Sequence, residues 1–142
     1  MKHEYILPES QKSLRLPLYL SPVKAGFPSP ADDYIEKKLD LNEYLVNNPP
    51  ATFFLRVSGD SMKDACIHNE DLLIVDCSIN AVSENIVVAA LDGELTLKRV
   101  RKIQGRLYLI AENDDYSPIP VNESSDLVIW GVVTHVIHRF RQ

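Results

Sequence analysis

From residue 51 onward the chain consists of short segments of strand length, rich in valine, isoleucine, leucine and aromatics. No other feature limits the possible fold as tightly. The segments are Thr52–Val57, Leu72–Asp76, Ile86–Leu91, Glu94–Arg101, Arg106–Ala111 and Leu127–Arg139. β-Branched and aromatic side chains suit a pleated, half-buried surface. Turn residues such as Asp92-Gly93 and Gln104-Gly105 separate neighbouring segments. Asp92-Gly93 signals a two-residue hairpin, since that turn needs left-handed backbone at both central positions. Six or seven such strands with one or two short helices predict a mainly β domain. A chain of 142 residues can bury most of its apolar surface in a single core.

Upstream of about residue 29 the pattern changes. Pro8, Pro17, Pro22 and Pro28 each remove a backbone donor and bias the preceding residue toward extended conformations. Residues 1–28 therefore read as an extended, substrate-like arm, and residues 29–142 as the β-rich domain. Ser29-Pro30 predicts a helix start, with a hydroxyl cap and proline in the first turn. Asp32 and Asp33 suit its N-terminus, and Tyr34, Ile35 and Leu39 form a narrow apolar stripe. Asp40 then caps a second short turn through Leu41, Tyr44 and Leu45, which Asn47-Asn48-Pro49-Pro50 ends.

Charge narrows the partners. The net charge is −5; residues 1–25 carry Lys2, Lys12, Arg15 and Lys24 against Glu4 and Glu9, a balance of +2 that leaves −7 on residues 26–142. A body this acidic does not hold a phosphate backbone by counterion release, so direct nucleic-acid binding is not expected. No apolar run is long enough to cross a bilayer, and the first residues lack the apolar segment of a secretory signal. No membrane association and a cytoplasmic location are the expectation. Cys66 and Cys77 then read as free thiols, buried or half-buried. His3, His68, His135 and His138 do not combine with them at metal-ligand spacings. No metal and no cofactor is expected.

Three segments bear on chemistry. Ser58-Gly59-Asp60-Ser61-Met62 follows the first strand. Glycine permits a sharp turn there, which can expose the Ser61 hydroxyl beside outward-pointing amide N–H groups, the geometry of an oxyanion hole. Alone, the segment reads first as a solvated β-turn closed by Ser and Asp side chains. Thr96-Leu97-Lys98-Arg99-Val100 lies in a later strand, where alternation puts Thr96, Lys98 and Val100 on one face. Burial there would disfavour the ammonium and make Lys98 a proton acceptor; an ordinary surface lysine is the alternative. Ala25-Gly26, in the arm, has the small side chains that let a carbonyl come within reach of a nucleophile, or is simply a bend before Pro28. Serine with lysine is a recognised variant of the serine nucleophile arrangement.

Together these segments resemble one family. Ser61 lies 37 residues before Lys98, and an Ala-Gly bond sits in an amino-terminal arm. The blocks Ala25-Gly26-Phe27-Pro28-Ser29-Pro30-Ala31, Asp71-Leu72-Leu73-Ile74-Val75-Asp76 and Gly131-Val132-Val133-Thr134-His135-Val136-Ile137 stand around them. From about Leu16 to Phe140 the chain is similar to the UmuD family of SOS mutagenesis proteins, relatives of the LexA repressor.

The resemblance implies a LexA/UmuD-like carboxy-terminal peptidase fold with the arm laid across it. Ser61 would be the nucleophile, Lys98 the general base and Ala25–Gly26 the bond cut. The backbone N–H groups of Asp60 and Ser61 would form the oxyanion hole. It also implies a homodimer, stimulation by a RecA filament on single-stranded DNA, and a trimmed product that joins a UmuC-like translesion polymerase. The length leaves no room for the DNA-binding domain of LexA. A polymerase accessory dimer with vestigial cleavage is the alternative role; a signal peptidase is disfavoured by the absent membrane anchor. Two turns depart from the family pattern. Glu70-Asp71 stands where relatives have Gly-Asp, and Ser83-Glu84-Asn85 where they have glycine. Turn geometry is expected to change there, with Asn85 best able to adopt a left-handed conformation.

Overall fold

The Asp92-Gly93 pair closes a hairpin between β5 (Ile86–Leu91) and β6 (Glu94–Ile103), with φ of 51° and 83° at its two central residues. In this computed structural model, which describes residues 12–19, 22–23, 25–26, 35–121 and 126–141, the chain forms two compact units, Met1–Asn47 and Asn48–Gln142.

The second unit is mainly β, as expected. Besides β5 and β6 it contains β3 (Thr52–Arg56), β4 (Leu72–Asp76), β7 (Arg106–Ile110), β8 (Ile119–Pro120) and β9 (Leu127–Ile137). All seven strands pair antiparallel in the order β3-β4-β9-β5-β6-β7-β8. The last strand thus sits in the middle and joins the β3-β4 pair to the β5–β8 meander. β9 shifts register against both neighbours, between Ile74 and Val75 on one side and between Val88 and Ala89 on the other. Gly131 lies between these irregularities. A Cβ there would come within 2.7 Å of Val75 Cγ1 and 3.0 Å of the Asp76 carbonyl oxygen, so only glycine fits without a shift of the β4–β9 pair.

Alternation along the strands builds two apolar clusters. Met62, Ile67, Leu73, Val75 and Val88 form one, while Val87, Ala89, Val100, Leu109 and Val132 form the other. Val87 and Val88 fall in different clusters, as successive residues of a strand must when both faces of a sheet are covered.

In the first unit, β1 (Arg15–Tyr19) pairs antiparallel with β2 (Ile35–Asp40), from Arg15 opposite Asp40 to Tyr19 opposite Ile35. This corrects the helix expected after Ser29-Pro30. Residues 27–34 lie outside the described residues, and Ile35–Asp40 is strand. Ile35 and Leu39 are four apart, a spacing that shares a face in a helix and in a strand alike, so the apolar stripe could not separate the two. Asp40 does cap a short helix, α1 (Leu41–Leu45); its carboxylate accepts from the Asn42 N–H at 2.9 Å and from the Ser13 hydroxyl at 3.1 Å. Among the described residues no helix is long and apolar enough to cross a membrane.

Candidate active site

Ser61 stands on the turn that leaves β3. Gly59 takes φ of +94°, and its N–H donates to Asn69 Oδ1 at 3.0 Å. Directly after Ser61 the chain dives: Met62 is 1% exposed and anchors the turn against Leu73, Val75 and Val88. A short 3-10 turn, Lys63–Ala65, follows, begun by the Lys63 N–H donating to the Asp60 carbonyl at 3.1 Å. Ser61 itself is half-buried at the edge of a cleft of about 250 Å³ that Val57, Ser58, Met62, Thr96 and Leu97 also line. Among the described residues no hydrogen bond takes up the backbone N–H of Asp60 or Ser61.

Lys98 lies in β6 directly after Leu95, Thr96 and Leu97, the three residues of that strand that line the same cleft. It is 8% exposed. Its amine donates to Thr96 Oγ1 at 2.6 Å and to the Leu97 carbonyl at 3.1 Å. Burial pushes the amine's pKa below the ordinary lysine value, because a dry environment penalises the ammonium. Among the described residues no carboxylate pairs with it to restore the charge, and no hydrogen bond joins it to Ser61. Ser61 and Thr96 thus line one cleft, and Thr96 holds the amine of Lys98, which is not itself among the lining residues.

Ala25 and Gly26 form an exposed bend in the first unit. The glycine is open enough that an added Cβ would meet nothing within 4 Å.

Both altered turns contain a glutamate with left-handed backbone. Glu70 has φ of +72° and Glu84 of +79°, and in the second turn the left-handed residue is Glu84, not Asn85. Asn85 contributes its side chain, Oδ1 accepting from the Val82 N–H at 2.9 Å. Glu84 is held by Arg101, Nε to Oε1 at 3.0 Å and Nη2 to Oε2 at 3.2 Å. The cysteines are free, but both are exposed instead of buried. Cys66 ends the 3-10 turn in a left-handed conformation and Cys77 follows the last residue of β4. His138 lies past β9 and pairs with the buried Asp71, Nδ1 to Oδ1 at 2.6 Å. Asp71 also accepts from the His68 N–H at 2.8 Å. Although burial opposes it, these bonds and the neighbouring histidines hold the Asp71 carboxyl below its usual value.

Sequence reasoning placed Thr96 on the face of Lys98 without seeing it as the acceptor that orients the amine. It also missed Asn69 and Asn113, both of which bond the backbone of the serine turn. A lone asparagine in a polar loop carries no periodic signal, and its partner lies far away in sequence.

Residues 17–134 match the family described as peptidase S24-like. Among curated proteins, the chain is 44% identical to Protein ImpA of Salmonella typhimurium over 137 residues, which cover 95% of this chain and 92% of that one. It is 48% identical to Protein MucA of Salmonella typhimurium over 124 residues, 84% of this chain and 82% of the relative. The LexA repressor of Ectopseudomonas mendocina (strain ymp) is 42% identical over 118 residues, 82% of this chain and 57% of the repressor. The match spans the serine turn, the lysine strand and the Ala-Gly bend together, and this chain belongs to the peptidase S24-like family, among its UmuD-like members.

Proposed function

We propose that this chain cuts its own backbone between Ala25 and Gly26 with a Ser61–Lys98 dyad. The observation that carries the reading is the lysine. Its amine is buried, unpaired with any described carboxylate and held by a hydroxyl at the border of the cleft where Ser61 stands. A surface lysine would show none of this, whereas a general base needs it, because only the neutral amine accepts a proton.

The chemistry follows from these groups. Lys98 Nζ takes the Ser61 hydroxyl proton as Oγ attacks the Ala25 carbonyl carbon. The oxyanion that develops is stabilised by the free N–H groups of Asp60 and Ser61. The intermediate collapses, the Ala25–Gly26 bond breaks, and the Lys98 ammonium returns its proton to the departing Gly26 amine. Water, activated by the same lysine, then hydrolyses the ester joining Ala25 to Ser61. The cut separates residues 1–25 from Gly26–Gln142, so it falls inside the arm, residues 1–28, and leaves the domain of residues 29–142 whole.

The setting comes from the family likeness. A RecA filament on single-stranded DNA stimulates the cut, and the trimmed product acts in the cytoplasm as a homodimer. It serves a UmuC-like translesion polymerase as an accessory subunit, and the acidic body reaches DNA only through such partners.

Incubation with RecA, single-stranded DNA and nucleotide should yield a fragment whose mass begins at Gly26. The rate should climb as pH rises through the lowered lysine pKa and then level off. Undiminished cleavage in Ser61→Ala or Lys98→Ala removes the mechanism. One observation favours a second reading, an accessory dimer whose peptidase is vestigial: the amine bonds Thr96 and Leu97, not Ser61. A chain left intact by prolonged incubation with the filament would support it.

A further inference from the structure

The loop after β7 grips the serine turn. The Asp64 N–H donates to the Glu112 carbonyl at 2.8 Å, and the Glu112 N–H reaches Met62 Sδ at 3.4 Å. Asn113 Nδ2 donates to the Asp60 carbonyl at 3.0 Å. Glu112 is itself held at 2.5 Å by Arg99 Nε, next to Lys98 in β6. The strand that carries the lysine therefore also secures the loop that holds the serine turn.

Asn113 differs from the other members of this grip. It is 4% exposed, and both ends of its amide are used. Asp115 N–H donates to Oδ1 at 3.1 Å; only an oxygen can accept there, which fixes the NH2 on the side of Asp60. The Asp60 carbonyl and the Ser61 N–H belong to one peptide unit. In a planar trans peptide the two point in opposite directions. Pinning the oxygen from the loop side therefore aims the Ser61 N–H away from Asn113, and a donor on the carbonyl polarises that N–H.

We infer that Asn113 is a positioning residue, which locks the Asp60–Ser61 peptide so that the Ser61 N–H serves as an oxyanion donor. The inference rests on Ser61 being the nucleophile. It assigns Asn113 no contact with the reacting atoms; the residue acts through the peptide bond.

Asn113→Asp tests it with almost no change of shape. The acceptor for Asp115 is kept, while a carboxylate oxygen replaces the donor and repels the Asp60 carbonyl. Asn113→Ala removes both. Self-cleavage of the full chain is followed from pH 6 to 10.5 beside thermal melting. Both variants should lose about tenfold or more of the alkaline plateau rate, since removing a single oxyanion donor has effects of at least that size. The pH midpoint should stay in place, because Lys98 is untouched. A merely structural role gives a different pattern: a loosened site lets water to Lys98 and moves the midpoint up, with a lower melting temperature. A plateau within twofold of the natural chain for Asn113→Asp, or a loss accompanied by such a shift in both variants, overturns the inference. If the natural chain does not cleave, or Ser61→Ala cleaves equally well, the parent reading falls and takes this one with it.

Discussion

The two units of this chain bury their residues very differently. In the Asn48–Gln142 unit, Val75, Val87, Ala89 and Leu109 are fully shielded from solvent. In the Met1–Asn47 unit every residue of β1 is exposed, including Leu16 at 55% and Tyr19 at 57%, and the described residue that is buried is the helix cap Asp40. A two-stranded hairpin whose leucines stay exposed is marginal in water, whereas the larger sheet buries apolar clusters of its own. The contrast suits the proposed cleavage, in which an exposed segment is the substrate and a unit with a buried core carries the dyad. Small, exposed Ala25 and Gly26 lie in the first; the buried amine and the anchored serine turn lie in the second.

Core truncation breaks the comparison most severely. Leu109→Ala should cost about 2–5 kcal/mol in urea unfolding, while Leu16→Ala should stay within about 0.5 kcal/mol. Equal losses would show that the hairpin carries as much of the stability as the sheet.

Lys98 gives a smaller effect with a distinctive pH signature. Its folded pKa is lowered by burial, so the folded state gives up its proton before the unfolded chain does. The unfolded state then binds more protons, and stability rises with pH between the two values. The desolvation penalty is fully present below the folded pKa and disappears as pH approaches the ordinary lysine value. Lys98→Met should therefore be more stable than the natural chain at neutral pH, by a margin that shrinks toward pH 10, while losing cleavage. A margin independent of pH would mean that the amine is not desolvated.

The smallest change concerns the two left-handed glutamates. A non-glycine residue in that conformation costs about 1–2 kcal/mol, so Glu70→Gly should raise stability by about 1 kcal/mol. Glu84→Gly should gain less, because it also removes the partner of Arg101. Thermal melts of the two variants side by side check the order.

Much of the β unit was legible beforehand. Leu72–Asp76 and Ile86–Leu91 have the bounds that alternation and turn residues predicted, and Asp92-Gly93 forms the hairpin it signalled. These features are local: a strand's two faces and a turn's backbone angles are specified by neighbouring residues. The failures lay where a local signal fits two structures, as with Ile35 and Leu39, or where the left-handed position fell on Glu84 and not on the neighbouring Asn85.

The sequence by itself determined the strands, the turns and, through ordered blocks at matching intervals, the family. Only the tertiary structure decided that β9 lies in the centre of the sheet and that Lys98 is dry. It also decided that Thr96 holds the amine and that Asn113 reaches back to Asp60. Each of these depends on groups brought together from distant parts of the chain, and desolvation in particular belongs to no residue alone: it exists only once neighbours have excluded water.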